Sequence, residues 1–412
     1  MLKQIEGSRA VAEAVAMCRP QVICAYPITP QTHIVEALSA MVKKDELAAE
    51  FLNVESEFAA MSVAIGASAA GARAYTATAS QGLLYMSEAV WNAAGLGLPI
   101  VMTVANRAIG APINIWNDHS DAMSQRDAGW LQLYAETSQE ALDLHIQAFR
   151  IAEELSVPVM VCMDGFLLTH ASERADLPEQ AQVDAFLPRY EPRQVLDPGD
   201  PVSIGAMVGP EAFTEVRYLA HERMRRALEV IPAVRAGFAA GFGRDSGGLV
   251  RPYQTTDAET IVVALGSVLG TLKDAVDELR AGGLKIGVLG ITSFRPFPAA
   301  AVHDALAGAR RVVVLERALA PGSGGIVTAD VRAAANKDTD ICTVIAGLGG
   351  RAVTRKSLRG LLRADDLPPL SFLDLNTGLV EAEAGRMSAA RRSGPSAENI
   401  LRDLGITASR IG

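Results

Sequence analysis

Two charged residues stand in a stretch that is otherwise poor in charge, and both are of types that can do chemistry. Glu57 opens an Ala-, Gly- and Ser-rich run, and Arg107 follows the apolar run Leu98–Val104. A charge in so apolar a setting has to be paired or used, because burying it alone is unfavourable. A carboxylate and a guanidinium placed in this way suit a site for an organic acid and a cofactor. We therefore expect the rest of the chain to be organised around residues 53–121.

A second candidate site element is the turn Pro27–Pro30, which follows a short apolar run. Thr29 before Pro30 predicts a helix start, with the hydroxyl at the N-cap and proline in the first turn. A helix N-terminus beyond the end of a strand is a suitable place for an anion. The alternative is that Thr29 only caps the helix, which is a common arrangement.

Apolar strand-like runs alternate with helical periodicity through the first half of the chain. This alternation predicts a parallel sheet with right-handed helical crossovers. The predicted strands are 21–26, 74–79, 98–104 and 157–163, and the predicted helices are 7–19, 31–44, 81–94 and 138–155.

Four candidate residues each lie just beyond the carboxyl end of a predicted strand. They are Thr29, Ser80, Arg107 and Asp164. Because ligands of open α/β sheets bind at that edge, we expect the four residues to lie near one another.

The chain length of 412 residues favours two domains. We predict a first domain over 1–250, with an irregular excursion over 173–250 that contains a helix near 211–228. A second α/β domain follows over 258–385, and 386–412 is interpreted as an extended tail or partner contact. The Gly-rich turns 266–270 and 321–325 match neither the dinucleotide nor the P-loop pattern, so a structural role is favoured for both.

Composition excludes several classes of function. The net charge of −9 argues against a nucleic-acid surface, and the basic HERMRR segment is interpreted as a solvated helix face. Apolar runs are too short for a membrane span, and residues 1–6 lack the plan of a signal peptide. We therefore expect a cytoplasmic protein that binds neither nucleic acid nor membrane.

The cysteines give no sign of a metal centre. Cys18, Cys24, Cys162 and Cys342 are widely separated, whereas iron–sulfur and zinc sites usually have close spacings. We predict that the chain itself holds no cluster and no metal.

Seven short stretches, each weak alone, are specific in combination. They are YPITP at 26–30, ESE at 55–57, TASQGL at 78–83, NRAI at 106–109, IWNDHSD at 115–121, MDGF at 163–166 and GLGGR at 347–351. In this order and spacing they closely resemble the alpha subunit of the 2-oxoacid:acceptor oxidoreductases, of the pyruvate:ferredoxin oxidoreductase (pyruvate synthase) type. The resemblance covers nearly the whole chain.

The resemblance implies a fold, a cofactor and partners. The fold is a thiamine-diphosphate-binding domain of the pyrimidine type, a parallel sheet with flanking helices, followed by a smaller domain like the C-terminal domain of transketolase. In the family a beta subunit binds the diphosphate and Mg²⁺ through a G-D-G motif, which is missing from this sequence. Gamma and ferredoxin-like delta subunits complete the complex, [4Fe-4S] clusters lie on the partners, and coenzyme A is the co-substrate.

The resemblance also implies roles for individual residues. Glu57 resembles the catalytic carboxylate that hydrogen-bonds the aminopyrimidine ring of the cofactor. Arg107 resembles the arginine that holds the substrate carboxylate, for which a guanidinium offers two parallel donors. Thr29 resembles a residue that contacts the substrate or the cofactor ring, and Ser80 and Gln81 are interpreted as cofactor-binding.

Three further polar residues, Asp118, His119 and Asp121, have the types of metal ligands. Because the metal of this family belongs to the partner subunit, we interpret them as polar groups of the pocket wall or of a subunit contact.

The expected function is oxidative decarboxylation of a 2-oxoacid, with pyruvate the first choice, to its acyl-CoA, with electrons passed to ferredoxin. One alternative is a relative that acts on phenylglyoxylate or another aryl or branched 2-oxoacid, with NAD as a possible acceptor. The other is a non-catalytic assembly subunit, against which the presence of both Glu57 and Arg107 argues.

Overall fold

The computed structural model describes residues 1–201, 203–389 and 395–406, which form two α/β units joined along one edge. The strands are β1 Leu2–Glu6, β2 Val22–Ala25, β3 Glu50–Asn53, β4 Ala74–Thr78, β5 Val101–Asn106, β6 Leu131–Tyr134, β7 Val159–Asp164, β8 Ser172–Asp176, β9 Val250–Tyr253, β10 Thr260–Ala264, β11 Ile286–Ile291, β12 Ser293–Arg295, β13 Arg311–Glu316, β14 Asp340–Ile345 and β15 Leu370–Phe372.

The helices lie mainly in the crossovers between parallel strands. They are α1 Gly7–Met17, α2 Thr32–Lys43, α3 Glu57–Ala69, α4 Ser80–Tyr85, α5 Ser87–Leu96, α6 Ser120–Ser124, α7 Ser138–Leu155, α8 Gln180–Phe186, α9 Phe213–Phe242, α10 Val268–Ala281, α11 Ala299–Leu306, α12 Val327–Ala334, α13 Arg355–Leu362, α14 Thr377–Ala389 and α15 Ser396–Asp403.

The first unit is built on a seven-stranded sheet in the order β12-β6-β7-β5-β4-β2-β3. All neighbouring pairs are parallel except β12 with β6. Every residue of β4, β5 and β7 is buried. Helices on both faces explain why these strands are continuous apolar runs rather than alternating ones. The predicted parallel α/β sheet is therefore confirmed.

The second unit has a six-stranded sheet in the order β15-β14-β13-β10-β11-β9, with only β9 antiparallel to its neighbour. The two units are interlocked, because the second half of the chain contributes β12 to the first sheet. The Tyr134 amide also donates to the Thr292 carbonyl at 2.7 Å beside this pairing. Such interlocking holds the edges of the two sheets at a fixed relative position.

The strands β1 and β8 form a small antiparallel pair outside both sheets. This pair joins the start of the chain to the segment that follows β7. Among the described residues, every helix is too short or too polar to cross a bilayer.

The structure corrects two of the predicted helices. The helix predicted to begin after Thr29 begins at Thr32, with Gln31 at the N-cap, because the Gln31 side chain turns back to donate to the Tyr26 carbonyl. Thr29 therefore does not cap it. The helix predicted over 81–94 is divided into α4 and α5, and Ser80 enters α4 with a φ of 50°.

The excursion over 173–250 is more regular than expected, since it contains β8, α8 and the 30-residue α9. The described part of the predicted extended tail contains the end of α14 and the whole of α15. Arg386 joins α14 to α15 through a salt bridge to Asp403 at 2.7 Å, so its charge is used within the chain. Residues 390–394 and 407–412 of the predicted tail lie outside the described residues.

Candidate functional site

The carboxyl edge of the first sheet brings together the residues that the strand ends predicted. β7, β5, β4 and β2 are successive neighbours in the sheet. Asp164, Arg107, Ser80 and Thr29 stand at or just beyond their carboxyl ends, and Asn106 is paired with Asp164 in the ladder. The expected convergence of these four positions on one edge is confirmed.

A buried carboxylate fixes the turns that leave β4 and β5. The Asp121 side chain accepts from the backbone amides of Ser80 and Arg107, each at 2.9 Å, and from the Asn106 side chain at 2.8 Å. Burial raises the pKa of Asp121 to about 6, although these donors and the Ala122 amide oppose the rise. Asp121 thus holds the backbone of the site and has no capacity left for a metal.

Arg107 is buried without an ionic partner. Its guanidinium donates to the Thr29 carbonyl at 2.9 Å and to the Asn114 carbonyl at 3.3 Å, and no described acidic side chain lies within salt-bridge distance. Burial lowers the pKa of this arginine, and the charge of Asp121 opposes the shift. Two neutral carbonyls orient the guanidinium but leave its charge available for an anion.

Glu57 is a buried carboxylate that also has no partner among the described residues. It is 8% exposed, and it opens α3 directly after Ser56, whose side chain accepts from the Ala59 amide at 3.2 Å. The helix N-terminus favours a negative charge at this position. Gly82 packs against it so closely that a Cβ there would lie 2.8 Å from Oε1 of Glu57. The start of α4 therefore packs directly against the carboxylate.

The other predicted ligand-binding residues differ in how exposed their side chains are to solvent. Thr29 is exposed, and Gln81 is half-buried. Ser80 is fully buried, and its hydroxyl oxygen lies 2.5 Å from the Ala108 carbonyl oxygen and within hydrogen-bonding distance of the Gln81 side chain. In this geometry Thr29 and Gln81 can reach a ligand, whereas Ser80 positions Gln81.

Asp118 and His119 contact residues of the second unit. Asp118 accepts from the Gly349 amide at 3.1 Å, and the His119 amide donates to the Arg317 carbonyl at 2.8 Å. The His119 ring lies 2.8 Å from the Asp164 carboxylate. These residues join the two units of the chain.

Asp164 is the centre of this junction. Besides His119, it accepts from Nη1 of Arg317 at 3.0 Å and from the Ser267 amide at 2.8 Å. Burial would raise the pKa of Asp164, but the charges of Arg317 and His119 outweigh burial and hold it well below its usual range. Arg317 and Ser267 were not predicted from sequence. Both follow strand ends in the second sheet, so the rule applied to the first half of the chain could have found them.

An exposed apolar surface surrounds Glu57. Phe58 lies next to it in α3, and other large side chains of this surface project from β3, α4 and α5. They are Leu52, Leu84, Tyr85 and Trp91, each 37–62% exposed. The exposed backbone positions Gly66 and Gly95 leave open space above α3 and α5. Exposed apolar surface of this kind is typical of a protein–protein contact.

A cavity of about 600 Å³ lies at the opposite, amino-terminal edge of the first sheet, and Arg73 lines it. The guanidinium of Arg73 is already paired with Glu153, with Nε 2.5 Å from a carboxylate oxygen. A paired charge of this kind has a structural role, so we do not place the site in this cavity.

Comparison with protein families accounts for most of the chain. The model described as "Pyruvate flavodoxin/ferredoxin oxidoreductase, thiamine diP-bdg" matches residues 13–236. The model described as "Pyruvate:ferredoxin oxidoreductase core domain II" matches residues 258–358.

Individual relatives agree with the family models. The pyruvate synthase subunit PorA of Methanosarcina barkeri is 50% identical, over 86% of this chain and 90% of that protein. The PorA of Thermotoga maritima is 43% identical, over 86% and 92%. The ketoisovalerate oxidoreductase subunit VorA of Pyrococcus horikoshii is 38% identical, over 89% and 93%.

Two solved structures share the fold. The first is the 2-oxoglutarate:ferredoxin oxidoreductase of Magnetococcus marinus, with a TM-score of 0.72 at 18% identity; the match covers 88% of this chain and 65% of that chain. The second is a split-gene transketolase, with a TM-score of 0.52 at 14% identity over 88% and 98%. The predicted fold, with its likeness to transketolase, is therefore confirmed, and the chain belongs to the pyruvate flavodoxin/ferredoxin oxidoreductase family.

Proposed function

We propose that this chain is the alpha subunit of a thiamine-diphosphate-dependent 2-oxoacid:ferredoxin oxidoreductase that converts pyruvate and coenzyme A to the acyl-CoA and carbon dioxide. The observation that carries the proposal is the pair Glu57 and Arg107. Both charges are buried at the carboxyl edge of one sheet, and neither has an ionic partner among the described residues. The relatives named PorA are pyruvate synthase subunits, which supports pyruvate as the substrate.

The residues around Glu57 fit the aminopyrimidine ring of the cofactor. An unpaired buried carboxylate needs a hydrogen-bond donor, and a protonated ring nitrogen is one. Gly82 packs directly against the carboxylate, where any side chain would collide with it, and the buried hydroxyl of Thr78 beside Gly82 has no hydrogen-bond partner among the described residues. Glu57 would hold and exchange the proton at that ring nitrogen, while Thr29 and Gln81 would contact the ring from the strand ends. When bound, thiamine diphosphate supplies the carbon nucleophile for the substrate's keto group.

Arg107 would bind the carboxylate of the 2-oxoacid. Its guanidinium is oriented by the Thr29 and Asn114 carbonyls, so little side-chain freedom is lost when substrate binds. The planar fork can donate two parallel hydrogen bonds to a carboxylate, and burial strengthens the attraction between the charges. The arginine thereby orients the keto carbon towards the cofactor.

The site needs a second subunit. We infer that a beta subunit supplies the diphosphate and Mg²⁺ ligands and covers the exposed apolar surface around Phe58 and Trp91. Gamma and delta subunits would carry the iron–sulfur clusters that take the electrons to ferredoxin. The description of the relatives as subunits supports a multi-subunit assembly.

The main alternative is a different 2-oxoacid. VorA, a ketoisovalerate oxidoreductase subunit, is also similar over most of its length, so a branched substrate competes with pyruvate. An aryl substrate such as phenylglyoxylate, with NAD as acceptor, is the further possibility. The side chains beyond Arg107 include exposed Ile113 and Trp116, which could pack against an apolar substituent.

The proposal is tested by purifying the complete complex and assaying it with a panel of 2-oxoacids, coenzyme A and ferredoxin. We expect the highest kcat/KM with pyruvate. A higher kcat/KM with a branched or aryl acid would make that acid the substrate instead of pyruvate. No activity with any 2-oxoacid would favour the alternative of a non-catalytic assembly subunit.

A separate binding measurement tests the shared site. The isolated full chain should bind thiamine diphosphate poorly in the presence of Mg²⁺, and adding the beta subunit should create tight binding. Tight Mg²⁺-dependent binding to this chain alone in calorimetry would contradict the shared site.

A further inference from the structure

Three side chains of types that can bind a metal lie close together beside β1. The proposed function uses none of them. They are Glu6, His33 and His170, and one possible ligand atom of each lies within 4.8 Å of the other two. Nδ1 of His33 is 2.7 Å from the Glu6 carboxylate, and the two imidazole rings are 4.6 Å apart between centroids. No other group of this kind is found among the described residues.

The three residues come from separate elements, so the fold and not the local sequence assembles them. Glu6 ends β1, His33 lies in the first turn of α2, and His170 lies between β7 and β8. In sequence they are far apart, which is why spacing alone did not reveal the group.

The backbone around Glu6 and His170 is fixed by close contacts. In the antiparallel pair of β1 with β8, Glu6 is opposite Ser172, and the Gly7 amide donates to the Ala171 carbonyl at 3.0 Å. Gly7 allows this approach, because a Cβ there would lie 1.8 Å from the Leu168 carbonyl oxygen. The positions of two of the three groups are therefore set before any ligand binds.

His170 also has the outer hydrogen bond that metal-binding histidines usually have. Its Nδ1 lies 2.7 Å from the Thr169 hydroxyl, and that hydroxyl accepts from the Phe166 amide at 2.8 Å. A bond at Nδ1 orients the ring and leaves Nε2 for another partner. The His33 side chain is 49% exposed, so one side of the group is open to water.

We propose that Glu6, His33 and His170 form a binding site for one divalent transition-metal ion of the zinc type. Two imidazole nitrogens and one carboxylate oxygen are a common protein ligand set for Zn²⁺, with water in the fourth position. Bonds of about 2.1 Å in a tetrahedral arrangement place ligand atoms roughly 3.4 Å apart, which small side-chain rotations reach from the present positions.

The ion would join β1, α2 and the segment after β7 at a point close to the wall of the candidate active site. The His170 ring packs on Phe166 at 4.8 Å, and Phe166 packs on Trp116 at 4.7 Å. Trp116 belongs to the loop that carries Asn114, whose carbonyl accepts from Arg107. The metal would therefore stiffen this wall without contacting substrate.

The test is calorimetry of the full chain with Zn²⁺ and Co²⁺ after all metal has been removed with a chelator. We expect one equivalent to bind, and the bound Co²⁺ should show visible absorption without a thiolate charge-transfer band. A thiolate band is not expected because all four cysteines are buried. Zn²⁺ should also raise the melting temperature of the full chain, since it binds only the folded form of this site.

Variants locate the site. His33→Gln removes an exposed ligand that the fold does not need, and it should weaken Zn²⁺ binding by about 100-fold or more. His221→Gln, at an exposed histidine of α9, is the matched control and should bind as the unchanged chain does. Unchanged binding by a folded His33→Gln chain, or no binding by the unchanged chain, would overturn the proposal and leave Glu6 and His33 as an ordinary surface pair.

Discussion

Arg107 and Arg317 occupy equivalent places in the two sheets but differ in how their charge is satisfied. Each follows the last residue of a central parallel strand, β5 or β13, and the two are 6% and 5% exposed. Arg317 lies 3.0 Å from the carboxylate of Asp164. Among the described residues, the Arg107 guanidinium donates only to the neutral carbonyls of Thr29 and Asn114. The two arginines therefore have the same position in their sheets and differ in the groups that their guanidinium contacts.

The same contrast holds for the two acids. Asp164 accepts from an arginine, a histidine and a backbone amide, whereas Glu57 has no partner among the described residues. Burial therefore does not distinguish a functional charge from a structural one in this molecule. The distinction lies in whether the rest of the chain already satisfies the charge, because an unsatisfied buried charge is unfavourable until a ligand binds.

Replacing Glu57 should give the largest effect on activity. Glu57→Gln keeps the size of the side chain and can still hydrogen-bond, but it cannot exchange a proton with the cofactor ring. We expect kcat of the assembled complex to fall on the order of 10²–10⁴-fold with little change in melting temperature. Hydrogen exchange at the reactive carbon of bound thiamine should slow in parallel.

The control for this variant is Glu36→Gln, at an exposed position of α2. It should leave turnover and exchange unchanged. If Glu57→Gln left the exchange rate at its normal value, Glu57 would be only an acid that stabilises the start of α3, and its contrast with Asp164 would disappear.

Replacing Arg317 should affect stability rather than substrate. Arg317→Met leaves the buried Asp164 carboxylate without its main counter-charge, which should lower the free energy of unfolding by about 3–5 kcal/mol. Urea unfolding of the full chain measures this change. Arg225→Gln, which removes an exposed pair with Glu222, should be near neutral. A normal unfolding curve with a collapsed kcat/KM would show that Arg317, and not Arg107, binds the substrate.

The sequence predicts the features of this molecule that depend on local patterns, but not those that depend on a partner distant in the chain. The buried strands β4, β5 and β7 are visible as apolar runs, and their ends locate Ser80, Arg107 and Asp164. Short or polar edge strands such as β1 and β3 were not predicted, because their side chains alternate little and their pairing partners are distant in sequence. The partner of Asp164 is 153 residues away. No local pattern contains that information.

Replacing Arg107 should act on the substrate and not on the cofactor. Arg107→Ala removes a charge-assisted, two-pronged contact in a buried site, so kcat/KM for the 2-oxoacid should fall by roughly 30- to several-thousand-fold, or about 2–5 kcal/mol. Thiamine diphosphate binding and hydrogen exchange on it should persist. Arg107→Lys should recover part of the activity, because it keeps the charge and loses the planar fork.

The contrast between Arg107 and Arg317 would disappear if Arg107 had a structural role. If Arg107→Ala lowered the melting temperature of the complex while kcat/KM stayed near normal, its charge would be balancing Asp121 across a longer distance. The substrate carboxylate would then have to be held elsewhere.

A third way to accommodate a buried ionisable group is to keep it neutral, as for His145. Replacing this histidine should have the smallest effect of the substitutions considered. His145 of α7 is fully buried beneath the first sheet, with a ring nitrogen 2.6 Å from the Thr103 hydroxyl, which in turn lies 2.6 Å from the Tyr75 hydroxyl. Burial lowers the pKa of His145 to about 4, and its hydrogen bond to the Ala141 carbonyl opposes the shift only in part.

The unfolded chain, with an ordinary histidine pKa near 6.5, binds more protons than the folded chain between about pH 4 and 6.5. The contribution of His145 to stability is therefore present above pH 6.5 and is lost as the pH falls towards 4, by up to about 3 kcal/mol. Buried acids such as Asp121, whose pKa is raised, act with the opposite sign over a similar range. Only the difference between the unchanged chain and His145→Gln isolates the histidine. Urea unfolding at several pH values should give a shallower loss of stability for the variant on acidification. Parallel curves for the two proteins would mean that folding leaves the pKa of His145 at its ordinary value. A steeper loss of stability for the variant would mean that His145 is charged in the folded state and, like Arg317, has a partner for its charge.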